Sequence, residues 1–168
     1  MALHNADKKR FKLRRSATRL ATYKILYYHL RYYDTAHGIL EKNQCKVDIL
    51  IPGIMHLPAL TDVHITWNGG LPNVPFAVLL LHKLQGWDDH RHMHSEPKKY
   101  AKRLVDAQDL QLLLEMREHV EPLEASRPWS DRALFSEEFE ALCLPRVRDF
   151  ITLYPAAREG FRLLGLLT

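Results

Sequence analysis

The chain has 168 residues, 46% of them hydrophobic, with a net charge of +4. That length and composition predict one domain over residues 1–168 with a real core, and no apolar run approaches the length of a membrane span. Asp7, Lys8, Lys9 and Arg10 stand where a secretory signal needs an apolar stretch, and Cys45 and Cys143 fit no metal or redox spacing, so an intracellular, cytoplasmic or nuclear protein with reduced thiols is expected.

In chain order, residues 1–10 read as flexible, and Phe11 and Leu13 mark a short edge strand. Up to Arg31 the chain carries Lys8, Lys9, Arg10, Lys12, Arg14, Arg15, Arg19, Lys24 and Arg31 against one acid, Asp7, and the remainder is net acidic. Such an end suits nucleic acid or a polyphosphate, and equally suits a solvated segment. Ala21–Leu30, rich in aromatic and branched residues, reads as a strand, and residues 31–44 as a loop. Cys45–Ile51 reads as a central strand: Val47, Ile49 and Ile51 share one face, Lys46, Asp48 and Leu50 the other, and Pro52-Gly53 closes it. The two longer strands most simply pair antiparallel.

Residues 52–75 are rich in Pro and Gly. Val63–Trp67 suggests a short strand, Asn68-Gly69-Gly70 a turn, and Pro75 the first turn of a helix. Phe76–Gln85 is apolar almost all round except at His82 and Lys83, which predicts a buried helix ended by Gly86. Residues 87–97 read as a polar loop. From Lys98 the pattern is helical, with Leu110, Leu113 and Leu114 in one stripe and Asp106 and Asp109 beside it. A Ser/Pro/Trp loop follows Pro122 and runs to Asp131. Ser136 is a helix N-cap ahead of Glu137 and Glu138. Val147, Phe150, Ile151 and Tyr154 repeat at helical spacing, Pro145 is expected to split the region in two, and a last helix near Pro155 packs through Ala157, Phe161 and Leu164. Strands first and helices after give an α+β class, with residues 116–168 as a helical C-terminal part.

Several side chains invite chemistry, and each has a plainer reading. Asp48 is either a metal-binding carboxylate or general base, or the ion-pair partner of Lys46 or Lys24. Lys83 in an apolar helix needs an acid, and Asp106 and Asp109 are the natural partners in a structural ion pair; it is otherwise a point charge for a nucleotide phosphate. His90, His92 and His94 alternate beside Asp88 and Asp89, a set that holds zinc or a similar metal in some proteins and is a solvated surface in most. Tyr23, Tyr27, Tyr28, Tyr32 and Tyr33 stack on bases or pack in a core. No glycine-rich phosphate loop, nucleophile elbow or zinc-protease helix is present.

Taken together, ATYKILYYHL, CKVDILIPG, LPNVPFAVLLLHKLQGWDDHR and KKYAKRLVDAQDLQLLL resemble the nucleotidyltransferase-fold superfamily. The nearest likeness is to uncharacterised fungal nucleotidyltransferase-like proteins. A related arrangement occurs in the abortive-infection-type nucleotidyltransferases of bacterial toxin–antitoxin systems. The resemblance spans about residues 10–165 and is most specific in CKVDILIPG and LLLHKLQGWDDHR. It implies a small mixed sheet with helices packed on it, Asp48 as the third of the family's metal-binding acids, and Mg2+ as cofactor if the chain is active. The family's Gly-Ser turn and alternating pair of acids have no counterpart, and would precede residue 1. One acid does not anchor the two metal ions that nucleotidyl transfer uses. The resemblance therefore implies a truncated or catalytically degenerate nucleotidyltransferase-like protein that retains nucleotide or nucleic-acid binding, with Lys83 and the basic N-terminal segment contributing. Two alternatives stand beside it. One is an active transferase in which Asp34, or Asp88 and Asp89, join Asp48. The other is a non-enzymatic interaction module that self-associates or binds a protein partner. No membrane association is expected.

Overall fold

The computed structural model describes residues 7–15, 24–34, 39–49, 51–68 and 70–167, without the side chains of 30–34, 39–43 and 68. It is an α+β structure in two compact units, residues 1–50 and 51–168.

The first unit is a three-stranded antiparallel meander. Its strands are β1 (Phe11–Arg15), β2 (Lys24–Asp34) and β3 (Ile39–Val47), in the order β1-β2-β3. Asp7 starts it: one carboxylate oxygen accepts from the amides of Lys9 and Arg10 at 3.0 Å each, fixing the turn that leads into β1. The central strand is β2, not the Asp48 segment. The expected loop over 31–44 is largely strand, because β2 runs on to Asp34 and pairs with β3 along nine residues of each. Long paired strands satisfy each other's backbone groups, and that outweighs the loop-like composition of this stretch. All described strand pairs are antiparallel, so the mixed sheet implied by the resemblance is not seen among them.

The second unit opens with irregular chain and a hairpin of β4 (Thr66–Asn68) and β5 (Leu71–Asn73). Asn68 pairs with Leu71, and Gly70 adopts φ +78° in the two-residue connection, a conformation glycine takes without strain. Five helices follow: α1 (Phe76–Arg91), α2 (Pro97–Glu115), α3 (Arg117–Ser126), α4 (Glu137–Leu153) and α5 (Arg158–Leu163). None of the described helices is long and apolar enough to cross a membrane.

The core of this unit is one cluster. Leu80, Leu81, Leu84 and Trp87 of α1 meet Leu110 and Leu114 of α2, Val120 of α3, and Phe139, Val147 and Phe150 of α4. Each such side chain contributes about 1.5–3 kcal/mol on leaving water.

Two helix breaks expected from the sequence do not occur. Gly86 lies inside α1, which continues to Arg91. A helical glycine costs about 1 kcal/mol. Beyond it, Trp87 is buried edge-on against Phe150, with ring centroids 4.8 Å apart, and Asp88 takes Arg146; both contacts require the extra turn. Residues 87–91 are therefore helix rather than loop. Pro145 likewise sits inside α4. Phe139, Cys143, Val147 and Phe150 are buried on one stripe across it, which offsets the lost backbone hydrogen bond. Ser136 caps α4 as expected, accepting from the Phe139 amide at 3.1 Å, with Glu137, Glu138 and Glu140 in the positive first turn.

Candidate nucleic-acid interface

Residues directly opposite each other in a sheet project from the same face. In the first unit this sorts the side chains into two sets. Phe11 faces Tyr28, which faces Cys45, and Leu13 faces Leu26, which faces Val47. That face is apolar along these pairs, with the Phe11 and Tyr28 rings 5.1 Å apart, and ends in the exposed cations Arg15 and Lys24, which lie opposite each other. On the other face Lys12 lies opposite Tyr27, and Tyr27 opposite Lys46. Arg14 lies opposite Ile25 on the same side, and its guanidinium carbon stands 5.4 Å from the centre of the Tyr27 ring. Arg10 is just ahead of β1, where its carbonyl accepts from the His29 amide at 2.8 Å and prolongs the β1–β2 pairing.

The result is a row of cations around one tyrosine. Lys12, Arg14 and Lys46 are exposed and Tyr27 is half-buried. Residues 1–50 carry eleven Lys and Arg against four Asp and Glu, so the charge imbalance of the chain belongs to this unit. Arg10 pairs with Asp7 at 3.6 Å, and the backbone amides of Arg10 and Lys9 hold the Asp7 carboxyl below its ordinary range.

Asp48 lies one residue past the end of β3, at an edge of the sheet. The expected strand stops at Val47, which pairs with Leu26; Asp48 has no pair, although β2 runs on to Ile25 and Lys24, where it pairs with β1 alone. Its side chain is 65% exposed and 2.6 Å from Lys46. Ile49 and Ile51 are likewise exposed rather than strand-buried. An exposed ion pair of this kind is worth at most about 1 kcal/mol, so a phosphate readily replaces the carboxylate. The side chain of Asp34, the acid named as a second metal ligand, lies outside the described ones.

In the second unit the other singled-out residues form two ion-pair networks. Lys83 Nζ lies 3.1 Å from Asp106 and 2.8 Å from Asp109, the two acids the sequence points to. Burial draws the Lys83 ammonium down, but the hydrogen bonds to Asp109 and Asp106 outweigh it and its pKa is raised. The second oxygen of Asp106 meets His90 Nδ1 at 2.5 Å. Asp106 thus bridges two α1 side chains that share a face about two turns apart, and locks α2 against α1. The second network joins α1 to α4: Asp88 accepts from Arg91 Nε at 2.7 Å and from Arg146 Nε at 3.1 Å, and Arg91 reaches Asp149.

The three histidines separate. His90 belongs to the last turn of α1 and points to Asp106; His92 caps that helix with Nδ1 2.8 Å from the Asp88 carbonyl; His94 lies beside the Tyr100 ring. They do not converge, because the helix extends through His90 and turns it away from the loop. Among the described residues no group of three or more His, Cys, Asp or Glu is arranged to hold a metal ion. Tyr23 and the side chains of Tyr32 and Tyr33 fall outside the described set, and Tyr28 belongs to the apolar sheet face.

Some residues stood out only in three dimensions. Arg146 is buried in the middle of α4, and His82 stacks on Phe139 with centroids 4.7 Å apart. The Cys143 thiol, buried beside them, is pushed up to about 12 and is inert at neutral pH. Lys12, Arg14 and Lys46 were legible as charges but not as neighbours. The alternation in Phe11-Lys12-Leu13-Arg14 signals that two cations share a face; the pairing that adds Tyr27 and Lys46 is a long-range property.

No protein-family model, curated protein or solved structure matches this chain.

Proposed function

We propose that this chain is a nucleotidyltransferase-like protein whose working activity is nucleic-acid binding rather than nucleotidyl transfer. The observation that carries the reading is the sheet face on which Lys12, Arg14 and Lys46 surround Tyr27. Lysine and arginine neutralise phosphates and release their counterions, and an aromatic ring among them offers a base a surface to stack on. Arg14 adds a planar cation beside the ring, which stacks on a base as readily as on tyrosine. The resemblance to nucleotidyltransferases supplies the ligand class, and the exposed Lys46–Asp48 pair agrees with a binding surface in which Asp48 no longer serves Mg2+.

The test is fluorescence anisotropy with a labelled single-stranded RNA and a DNA of the same sequence, at several salt concentrations. Binding is expected to weaken as salt rises, and Lys12→Glu/Arg14→Glu/Lys46→Glu is expected to lower affinity at least tenfold. Replacing three phosphate-binding cations should also flatten the log–log salt slope by about 2, at roughly 0.7 per contact for single strands. Equal binding by this variant and the natural chain overturns the proposal. So does Mg2+-dependent nucleotide transfer that vanishes in Asp48→Asn.

A further inference from the structure

Phe139, fully buried in the first turns of α4, is where three other rings meet. Phe135 lies 5.6 Å from it between centroids, His82 of α1 4.7 Å and His56 5.7 Å. His56 belongs to the irregular chain of residues 51–57, in the same compact unit as the helices. That segment is strained. Met55 and His56 follow each other in the left-handed region, at φ +53° and +58°, which side chains with a Cβ avoid. Ile51, Pro52, Gly53, Ile54 and Met55 are exposed. The segment closes on itself, the Gly53 amide donating to the Leu57 carbonyl at 2.8 Å and the Leu57 amide to the Ile54 carbonyl at 3.1 Å. His56 ties it to α4, through Phe139 and through Glu138, which is 3.9 Å away and 78% exposed.

The neighbouring His82 has no room for a second proton. Its Nδ1 donates to Gln85 Oε1 at 3.2 Å, and its Nε2 is buried with no hydrogen-bond partner among the described residues. The Arg146 side chain, 10% exposed, also keeps Nη1 buried and unpaired. The charges that act on His82 are those of His56 from the segment and Arg146 from α4. The other charged groups nearby are engaged elsewhere. Lys83 is turned to Asp106 and Asp109, Asp88 is held by Arg91 and Arg146, and Glu140 is bonded to Arg132, while the Cys143 thiol carries no charge at neutral pH. A proton on Nε2 thus enters a buried place that holds a guanidinium, a second imidazole and no acceptor for it. Parting α1 from α4 to admit water would open the core, whereas lifting residues 51–57 relieves their backbone strain. Leu60 packs against the core and limits how far such a movement reaches. We propose that residues 51–57 are an acid-released strap: protonation of His82 breaks the contact between His56 and Phe139, and the strap lifts to let water reach His82.

Proton NMR between about pH 7.5 and about pH 5, where imidazole rather than carboxylate titrates, reads the strap directly. A nuclear Overhauser contact between the His56 and Phe139 rings is expected at the upper end and its loss at the lower. The contact between Trp87 and Phe150, whose centroids are 4.8 Å apart in the core, should persist throughout. The His82 ring signals report its protonation in the same spectra. His82→Gln, which takes no proton, should keep the His56–Phe139 contact at pH 5. His56→Phe leaves a ring against Phe139 and removes one charge, and should lower the midpoint of release by about 0.5 pH unit or more. A contact that survives with His82 protonated overturns the proposal, as does a His82 that stays neutral down to pH 5. Release at an unchanged pH in either variant also overturns it. So does loss of the Trp87–Phe150 contact at the same pH, which would make the change a general unfolding.

Discussion

Asp48 is the residue on which the competing readings divide. Its carboxylate, 2.6 Å from Lys46, competes with any phosphate for that ammonium. If the sheet face is a binding surface, Asp48→Asn removes a competitor and raises the affinity for single-stranded RNA by about two- to threefold, the equivalent of roughly 0.5 kcal/mol for an exposed pair. Anisotropy with and without Mg2+ checks this. A fall in affinity, above all one seen only with Mg2+, would return Asp48 to the metal-binding role. His82 makes a separate prediction about pH. Burial, the largest influence, lowers its pKa from the ordinary value of 6.5; the hydrogen bond His82 Nδ1 donates to Gln85 Oε1 works the other way, and the charges of His56 and Arg146 add to the lowering. The unfolded chain therefore binds a proton more readily than the folded one. The stability linked to His82 is complete above about pH 6.5 and is lost as pH falls through that value toward the folded pKa. Urea titrations at pH 7.5 and pH 5 should show a loss of stability that is smaller in His82→Gln. An equal loss in both would assign the acid sensitivity to other groups.

At the scale of elements, α5 packs closely on α2 at Gly160. A methyl group added at Gly160 would stand 2.9 Å from Leu114 Cβ, an atom tied directly to the α2 backbone. Relief requires the helices to part, and Gly160→Ala is expected to destabilise the unit by about 1–3 kcal/mol, the usual cost of overpacking. Thermal melting checks it, and an unchanged or raised midpoint would mean that α5 yields freely. What the sequence made legible followed the same division between local and distant causes. The apolar run from Phe76, the Ser136 cap and the stripe through Val147, Phe150 and Ile151 are local patterns, and each is found where the pattern puts it. Gly86 and Pro145 are local signals too, yet both were overridden by burial of residues beyond them, which periodicity registers only weakly. The Asp48 strand failed for a different reason. Val47, Ile49 and Ile51 alternate well, but alternation does not fix where pairing ends: β3 leaves the sheet after Val47 while β2 continues to Lys24 against β1. Lys83 with Asp106 and Asp109 was legible because a cation in an apolar helix demands acids and few were at hand. The face shared by Lys12, Tyr27 and Lys46 was not, since it depends on the register of three strands.

Across the whole molecule, charge and apolar surface are divided between the two units. The basic excess lies in residues 1–50, and the large apolar core in residues 51–168. Such a division suits a chain in which one unit carries the polyanion-binding face and the other supplies packed helices. The central claim is that nucleic acid binds the Lys12–Tyr27–Lys46 face, and the measurement that tests it most directly is an amide chemical-shift titration with a short single-stranded RNA. Shifts concentrated at Lys12, Arg14, Tyr27 and Lys46, which diminish as salt is raised, are the predicted result. Shifts confined to residues 51–168, or none at a concentration where anisotropy reports binding, would contradict it.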